Sequence, residues 1–182
     1  MSNSATRKSA AASRRKQIRA KGACLNLEQG GCRRFIADVM LGRLAKWLRI
    51  AGFDVLYSNR FSDEELIAIS NREGRVLLSR DTRLLIRKSV KEFIFLESQD
   101  IQMQLRQVFE TRRIPSLPFP LTRCLACNEA LIEAARDSVR DSVPVFVYKT
   151  QAHFKSCPRC GKIFWAGTHR SSVIRTLETM LQ

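Results

Sequence analysis

Residues 35–43 read Phe-Ile-Ala-Asp-Val-Met-Leu-Gly-Arg, and this stretch decides the fold. Its three leading apolar residues predict a short strand that ends at Asp38. Leu41, Leu44 and Leu48 then follow at helical spacing, and we expect the helix to end at Gly52. A strand that leads directly into a helix is typical of open α/β sheets, which bind their ligands at the carboxyl ends of the strands.

The same alternation of strand and helix continues along the chain. Residues 53–57, 76–79 and 93–96 are apolar runs that predict three more strands. Ser62 and Glu65 form a capping box before a helix that ends at Gly74, and shorter helical patterns follow Asp81 and Asp100. Four such alternations predict a parallel sheet covered by helices on both faces. Because crossovers are right-handed, the carboxyl ends of all strands should share one edge.

Length and composition predict one α/β domain with a small appendage, since 182 residues of 45% hydrophobic content can bury a real core. Pro115, Pro118 and Pro120 predict a linker. A segment rich in β-formers at residues 143–148 and a last helix at residues 168–182 follow it. We therefore expect a basic, disordered extension at 1–33, the α/β domain at 34–114, the linker at 115–121 and a C-terminal module at 122–182.

The net charge of +15 is concentrated at the N-terminus, where residues 1–34 hold nine Lys or Arg against Glu28 alone. Such a chain favours a polyanionic partner, and we expect RNA; a tail that serves solubility alone is the alternative. No apolar run is long enough to cross a bilayer, so we expect no membrane partner. We expect a cytoplasmic protein, with an organellar transit peptide as the other interpretation of the basic N-terminus.

Acidic residues follow each of the four predicted strands. Asp38 ends the first, Asp63 and Glu64 follow the second, Asp81 follows the third, and Asp100 follows the fourth. Carboxylates gathered at one edge repel each other unless a cation lies between them, and Mg²⁺ or Mn²⁺ prefers such oxygen ligands. These five acids are our candidate catalytic residues. Asp54 lies at the opposite end of its strand and should face away.

Structural alternatives stay open for several of these residues. Asp63 can support a helix N-terminus, Asp100 can be an N-cap, and Glu64 can belong to a solvated helix face. The predicted substrate-binding residues are basic side chains near the same edge: Arg43, Lys46, Arg80 and Arg83. For Arg43 and Lys46, together with Arg49, a solvated helix face is the alternative.

Two CxxC pairs predict a structural zinc site. Cys124 and Cys127 form one pair, and Cys157 and Cys160 form the other about thirty residues later. A closed set of four thiolates leaves no open position, so this Zn²⁺ should stabilise the module and perform no chemistry. His153 and His169 are not needed as ligands. The remaining Cys24 and Cys32 are expected to be free thiols.

Basic and aromatic residues alternate around the second CxxC pair. Such a pattern is typical of an RNA-binding platform, and the alternative is that the aromatic residues form the core of a small module. The residues of this pattern are Lys155, Arg159, Lys162 and Arg170 with Phe154, Phe164 and Trp165.

Together these motifs carry a family resemblance. The runs RFIADVMLGRLAKWLRIAGFDV, SDEEL, GRVLLSRDTRLL, PLTRCLACN and SCPRCGKIFWAGTH resemble the Mut-7 C-terminal RNase domain, a branch of the PIN-like nucleases. The resemblance spans about residues 34–170 and implies a PIN-like α/β fold, metal-dependent ribonuclease activity and a zinc ribbon. It places the family's acids at Asp38, Asp63, with Glu64 as a further candidate, and Asp81. The fourth acid of PIN domains has no clear counterpart, and Asp100 is a candidate for it.

Two rival functions differ in class from a nuclease. The first is a non-catalytic RNA- or ribosome-binding protein with the same fold. The second is a phosphotransfer or phosphatase domain with an acidic sheet edge. Aspartyl-phosphate phosphatases place a second aspartate two residues after the first, and Met40 stands at that position here, which disfavours the second rival.

Overall fold

The computed structural model describes residues 13, 14, 18, 34–117, 119–167 and 169–182, the last range without the side chain of His169. The predicted extension at 1–33 lies outside the described residues except for Ser13, Arg14 and Ile18. Ile18 is 1% exposed and packs in the core of the sheet.

A four-stranded sheet forms the first part of the described chain. Its strands are β1 (Arg34–Ala37), β2 (Asp54–Tyr57), β3 (Val76–Ser79) and β4 (Phe93–Phe95). Their order is β2-β1-β3-β4, and β3 pairs in parallel with both β1 and β4. The register opposes Ala37 to Leu78, so Asp38 and Ser79 come next on neighbouring strands. Every residue of β3 is buried, as expected for a central parallel strand.

Helices follow the strands as the sequence predicted. A 3₁₀ turn at Val39–Leu41 leads into α1 (Gly42–Ile50), and α2 (Asp63–Glu73), α3 (Thr82–Leu85) and α4 (Ile101–Thr111) follow the next three strands. The predicted α/β class, with a parallel sheet flanked by helices and a four-cysteine module after it, is confirmed.

The capping box before α2 is also confirmed. Ser62 Oγ accepts from the backbone N–H of Glu65 at 3.2 Å, and Glu65 Oε2 accepts from the backbone N–H of Ser62 at 2.8 Å. Gly74 ends the helix in the left-handed conformation with a φ of 60°. The start of α2, which carries Asp63, is therefore fixed by two reciprocal hydrogen bonds.

The apolar faces of these elements form one core. Ile36 of β1, Leu77 of β3 and Phe93 of β4 pack there with Leu66 of α2 and Leu84 of α3, and none of them is more than 3% exposed. This core holds the strands in place beneath the acidic edge.

A smaller antiparallel sheet lies in the C-terminal part. It contains β5 (Ile132–Ala134), β6 (Phe154–Ser156) and β7 (Ile163–Trp165) in that order. A 3₁₀ segment at Arg136–Ser142 follows β5, and α5 (Val145–Thr150) and α6 (His169–Leu181) complete the chain. The predicted last helix is confirmed.

The predicted β character of residues 143–148 was wrong, because α5 occupies most of this segment. Val147 and Tyr148 pack against the core of Val139, Val143 and Phe154, whereas Val145 and Phe146 are exposed. Packing at helical spacing thus overrides the β propensity of the run Val-Phe-Val-Tyr.

The chain divides into two compact units that do not follow chain order. The first contains residues 1–45 and 55–116, and the second contains residues 46–54 and 117–182. Within the described part of the chain, we find no helix with the length and apolar character needed to cross a membrane.

Candidate active site and zinc site

Asp38 and Asp81 are joined through one serine at the carboxyl end of the sheet. Ser79 Oγ donates to Asp38 Oδ2 at 2.5 Å and accepts from the backbone N–H of Asp81 at 2.9 Å. Asp38 is 5% exposed, and its Oδ1 accepts from the backbone N–H of Val39 at 2.6 Å. Hydrogen bonds thus satisfy the buried carboxylate and fix its orientation.

Arg87 connects the acids of α2. Its guanidinium donates to Asp63 Oδ2 at 2.8 Å and to Glu64 Oε1 at 2.7 Å. All three side chains reach solvent, with 39% of Arg87, 40% of Asp63 and 76% of Glu64 exposed. The contacts therefore order the acids more than they stabilise the fold.

The electrostatics place Asp81 in the same group. The hydrogen bond to Glu64 raises the pKa of Arg87, burial opposes this, and the charges of Asp63, Glu64 and Asp81 raise it further. The hydrogen bond from Arg87 in turn lowers the pKa of Glu64. Arg87 is thus bonded to Asp63 and Glu64 and is also influenced by the charge of Asp81.

Asp100 has the geometry of a helix cap. Its Oδ1 accepts from the backbone N–H of Met103 at 3.0 Å at the start of α4. Asp81 likewise caps α3, through a 2.7 Å bond from the backbone N–H of Arg83. The structural alternative for Asp100 is thus confirmed in its geometry, and its catalytic role stays a prediction.

The acids do not form a ready-made metal site in the side-chain positions that the structure describes. Among those residues, the one group of three or more ligand atoms close enough to hold an ion consists of the four cysteines. The link through Ser79 and the contacts of Arg87 show which acids lie together, and no such link reaches Asp100 in the contacts that we describe.

The predicted substrate-binding residues reach solvent to different degrees. Arg43, Lys46 and Arg83 are exposed, and Arg80 is partly exposed. Arg80 Nε is buried without a hydrogen-bond partner among the described residues. Arg49 is not part of a solvated face, because it is 5% exposed.

The four predicted zinc ligands come together. Their sulfur atoms all lie within 4.8 Å of one another, with Cys124 Sγ 3.7 Å from Cys160 Sγ and Cys127 Sγ 3.3 Å from Cys157 Sγ. Ligand sulfurs about 2.3 Å from a tetrahedral Zn²⁺ require separations of this size. The cysteines therefore form a group that can hold a metal ion.

The two cysteine turns have the same backbone geometry. Asn128 N–H donates to Cys124 C=O at 2.9 Å, and Gly161 N–H donates to Cys157 C=O at the same distance. Both donors lie four residues after the first cysteine of their turn, with φ values of 69° and 70°. Asparagine and glycine are the residues that adopt this left-handed conformation most readily.

The thiols differ in their protonation. Burial and the hydrogen bond with Cys157 raise the pKa of Cys127 to about 12. Burial also acts to raise the pKa of Cys157, but hydrogen bonds from the Cys160 backbone and from Cys127 lower it to about 7. Of these two thiols, Cys157 is therefore the one that loses its proton more readily.

Residues before β2 and at its start contact the first cysteine turn within the second unit. Arg49 Nη1 donates to the carbonyl oxygens of Leu125 and Ala126 at 3.0 and 3.2 Å, between the two cysteines. Asn128 Nδ2 donates to Asp54 Oδ1 at 2.7 Å. Asp54 thus has a structural partner at the amino end of β2, where the sequence placed it.

Three residues of these sites escaped the sequence analysis. Ser79 was assigned only to a strand, although a polar residue between an apolar run and Arg80-Asp81 was a signal. Asn128 had a signal too, since it follows its CxxC pair as Gly161 follows the other. Arg87 had none, because its contacts with α2 depend on the tertiary fold.

The aromatic residues near the second cysteine pair have two different roles. Phe154 is 1% exposed and belongs to the core of the module, as the alternative interpretation holds. Phe164 is partly exposed and Trp165 is 39% exposed, and both line a surface cavity.

Comparison with protein families gives one match that covers most of the chain. The model described as Mut7-C RNAse domain matches residues 33–177. No curated protein and no solved structure matches the chain. The match includes both the acidic edge and the four cysteines.

Proposed function

The chain belongs to the Mut7-C RNAse domain family, and from this membership we propose that it is a metal-dependent ribonuclease. Membership of this family supports a nuclease-type function. RNA phosphodiesters are hydrolysed at the acidic edge of the sheet, with Mg²⁺ or Mn²⁺ as the cofactor.

The bond network of Ser79 is the observation that carries this proposal. The Ser79 hydroxyl is bonded both to the Asp38 carboxylate and to the backbone N–H of Asp81, at the ends of two neighbouring strands. Burial of a carboxylate that is only 5% exposed costs free energy, so we infer a use for Asp38 beyond its cap on the turn at Val39–Leu41.

The donor set fits a hard cation. Asp38, Asp81 and Asp63 offer carboxylate oxygens, which Mg²⁺ and Mn²⁺ prefer, and Glu64 is a further ligand candidate. When bound there, the ion would activate a water molecule and stabilise the oxygen that leaves the phosphodiester. Asp100 remains the candidate for a fourth acid.

The other residues of the edge orient the carboxylates, balance their charge or bind the RNA. Ser79 fixes the rotamer of Asp38 through the 2.5 Å hydrogen bond, which is the role of a group behind a metal ligand. Arg87 balances the charge of Asp63 and Glu64. The RNA backbone is held by the exposed cations Arg43, Lys46 and Arg83 and by the partly exposed Arg80.

We propose that the four cysteines hold Zn²⁺ as a structural ion and that the module around them assists RNA binding. The paired turns satisfy the backbone of each CxxC segment, so the ion would complete a site that the chain already shapes. Thiolate ligands require a reducing compartment, and we propose the cytoplasm.

Cleavage of end-labelled single-stranded RNA with Mn²⁺ tests the proposal. We expect Asp38→Asn and Asp81→Asn to reduce the rate by at least about a hundredfold, because each removes a charged ligand. Asparagine caps helices as well as aspartate does, so both variants should keep the fold. Asp100→Asn applies the same test to the fourth acid.

Asp141→Asn is the matched control, because Asp141 is an exposed acid of the second unit. Equal cleavage by the wild type, Asp38→Asn and Asp81→Asn would refute the assigned site. RNA binding without cleavage by the wild type would favour the non-catalytic RNA-binding protein. Metal analysis that finds no Zn²⁺ in the purified protein would refute the zinc assignment.

A further inference from the structure

A surface cavity of about 440 Å³ lies in the second unit, beside the small antiparallel sheet. Its walls come from residues 120–133 around the first cysteine turn, from β6 and β7, and from the start of α6. Binding pockets for small organic groups fall in the range of about 300–1,000 Å³, so the cavity has room for one nucleotide.

Two aromatic residues line the cavity. Phe164 and Trp165 are consecutive residues at the end of β7, and neither belongs to the core cluster around Phe154. Trp165 keeps 39% of its surface exposed. A Cβ at Gly167 would lie 3.2 Å from Trp165 Nε1, so the glycine leaves space for the indole in this position.

Basic residues outnumber acidic ones around the same cavity. Lys155 pairs with Glu133 at 3.3 Å, and Arg123 pairs with Asp54 at 3.9 Å and donates to the Asn128 carbonyl oxygen at 2.8 Å. Arg170 is exposed in the first turn of α6. Three cations against Glu133 and Asp54 leave one net positive charge at the cavity, which favours an anionic ligand.

We propose that this cavity binds one nucleotide of single-stranded RNA, with the base stacked on Trp165 and the phosphate held by Lys155 and Arg170. Base stacking on an exposed aromatic ring and basic side chains along the backbone are the two elements of single-strand recognition. This inference rests on the proposed ribonuclease function and adds a second contact for its substrate.

The test is fluorescence anisotropy with a fluorescein-labelled oligouridine of about ten nucleotides, a length typical of single-strand sites. The full chain is used with its zinc, and no Mg²⁺ or Mn²⁺ is added. We expect Trp165→Leu to weaken binding about tenfold or more, as loss of one stacking contact does, and Trp165→Phe to retain most of the affinity. Phe146→Leu is the matched control, since Phe146 is 76% exposed in the same unit and lies outside the cavity.

Charge is tested on α6 with two arginines. Arg170→Gln should lower the slope of log affinity against log salt by about one unit, as loss of one phosphate contact does. Arg175→Gln is the control, because Arg175 is exposed on the same helix but does not line the cavity. Equal changes for both arginines would assign the effect to general charge and overturn the proposal.

Competition tests the wild-type protein without any substitution. Uridine monophosphate should displace the labelled RNA, whereas ribose 5-phosphate, which lacks the base, should not. Equal displacement by both, or by neither, would overturn the nucleotide site even where the Trp165 variant fails to fold.

The cleavage assay separates this proposal from the proposed function. Binding that is insensitive to Trp165, with cleavage that still needs Asp38, refutes the cavity alone. Binding that depends on Trp165, with no cleavage by the wild type, refutes the nuclease and leaves the cavity as an RNA-binding site.

Discussion

At the scale of single residues, hydroxyl and guanidinium groups organise the acidic edge. Ser79 is bonded to Asp38 and to the Asp81 backbone, and Arg87 is bonded to Asp63 and Glu64. The acids are therefore grouped by partners that a search for carboxylates alone does not find.

Ser79→Ala should reduce cleavage about tenfold to a hundredfold, the usual effect of losing a group behind a metal ligand. Its distinguishing signature is a higher Mn²⁺ concentration for half-maximal activity, because Asp38 loses its fixed rotamer. Ser70→Ala is the matched control, since Ser70 is also buried and its hydroxyl donates to the Arg75 carbonyl oxygen at 2.7 Å. It should lower thermal stability and leave the Mn²⁺ requirement unchanged. An unchanged Mn²⁺ requirement in Ser79→Ala would contradict the positioning role.

Arg87→Gln should raise the pKa of Glu64 toward its ordinary value, because the hydrogen bond from Arg87 is the largest of the causes that lower it. A folded-state pKa below the unfolded value stabilises the protein above that unfolded value, and this stabilisation is lost as the pH falls through the folded pKa. Carbon-detected NMR titration of the glutamate side chains measures the change. Arg83→Gln, an exposed neighbour without a contact to Glu64 among the bonds described, should leave the Glu64 pKa in place.

At the scale of elements, hydrophobic pattern and caps were enough to predict the strands and helices of the sheet. Short apolar runs marked β1 to β4, and Ser62, Asp81 and Asp100 marked helix starts. The prediction for residues 143–148 failed because their β-branched and aromatic side chains favour strands. Their helical conformation depends on packing against Val139 and Phe154, which lie elsewhere in the sequence. The neighbouring positions of Asp38 and Asp81 could be predicted from topology, but the Arg87 contacts could not, since they join distant segments.

Ser62→Ala should lower the free energy of unfolding by about 1 kcal/mol, because it removes the acceptor for the Glu65 backbone N–H at the start of α2. Urea unfolding measures the loss. Ser89→Ala, at an exposed position of the same unit, should change stability by less than about 0.5 kcal/mol. Equal losses in the two variants would show that the capping box does not stabilise α2.

At the scale of the whole molecule, the second unit combines a segment before β2 with the cysteine module. The buried guanidinium of Arg49 donates to the carbonyl oxygens of Leu125 and Ala126. The proposed zinc site thus depends on a residue that lies far from its ligands in the sequence.

Arg49→Gln should destabilise the second unit by about 2 kcal/mol, as expected for loss of charged hydrogen bonds, and should accelerate zinc release to a chelator. A colorimetric zinc indicator follows the release, and thermal unfolding follows the stability. Lys46→Gln is the control, because Lys46 is exposed on the same helix. Identical release rates for Arg49→Gln and the wild type would contradict the supporting role.

The contacts of Arg49 also limit where the gene can be divided into two functional parts. A fragment that ends at residue 114 keeps this arginine but loses the carbonyl oxygens of Leu125 and Ala126 that accept from it. Gene rearrangement at the proline-rich segment would therefore not yield two independent pieces. Premature termination after the sheet should give a polypeptide prone to degradation. The gene segments that encode the sheet and the cysteine module should therefore stay together in evolution.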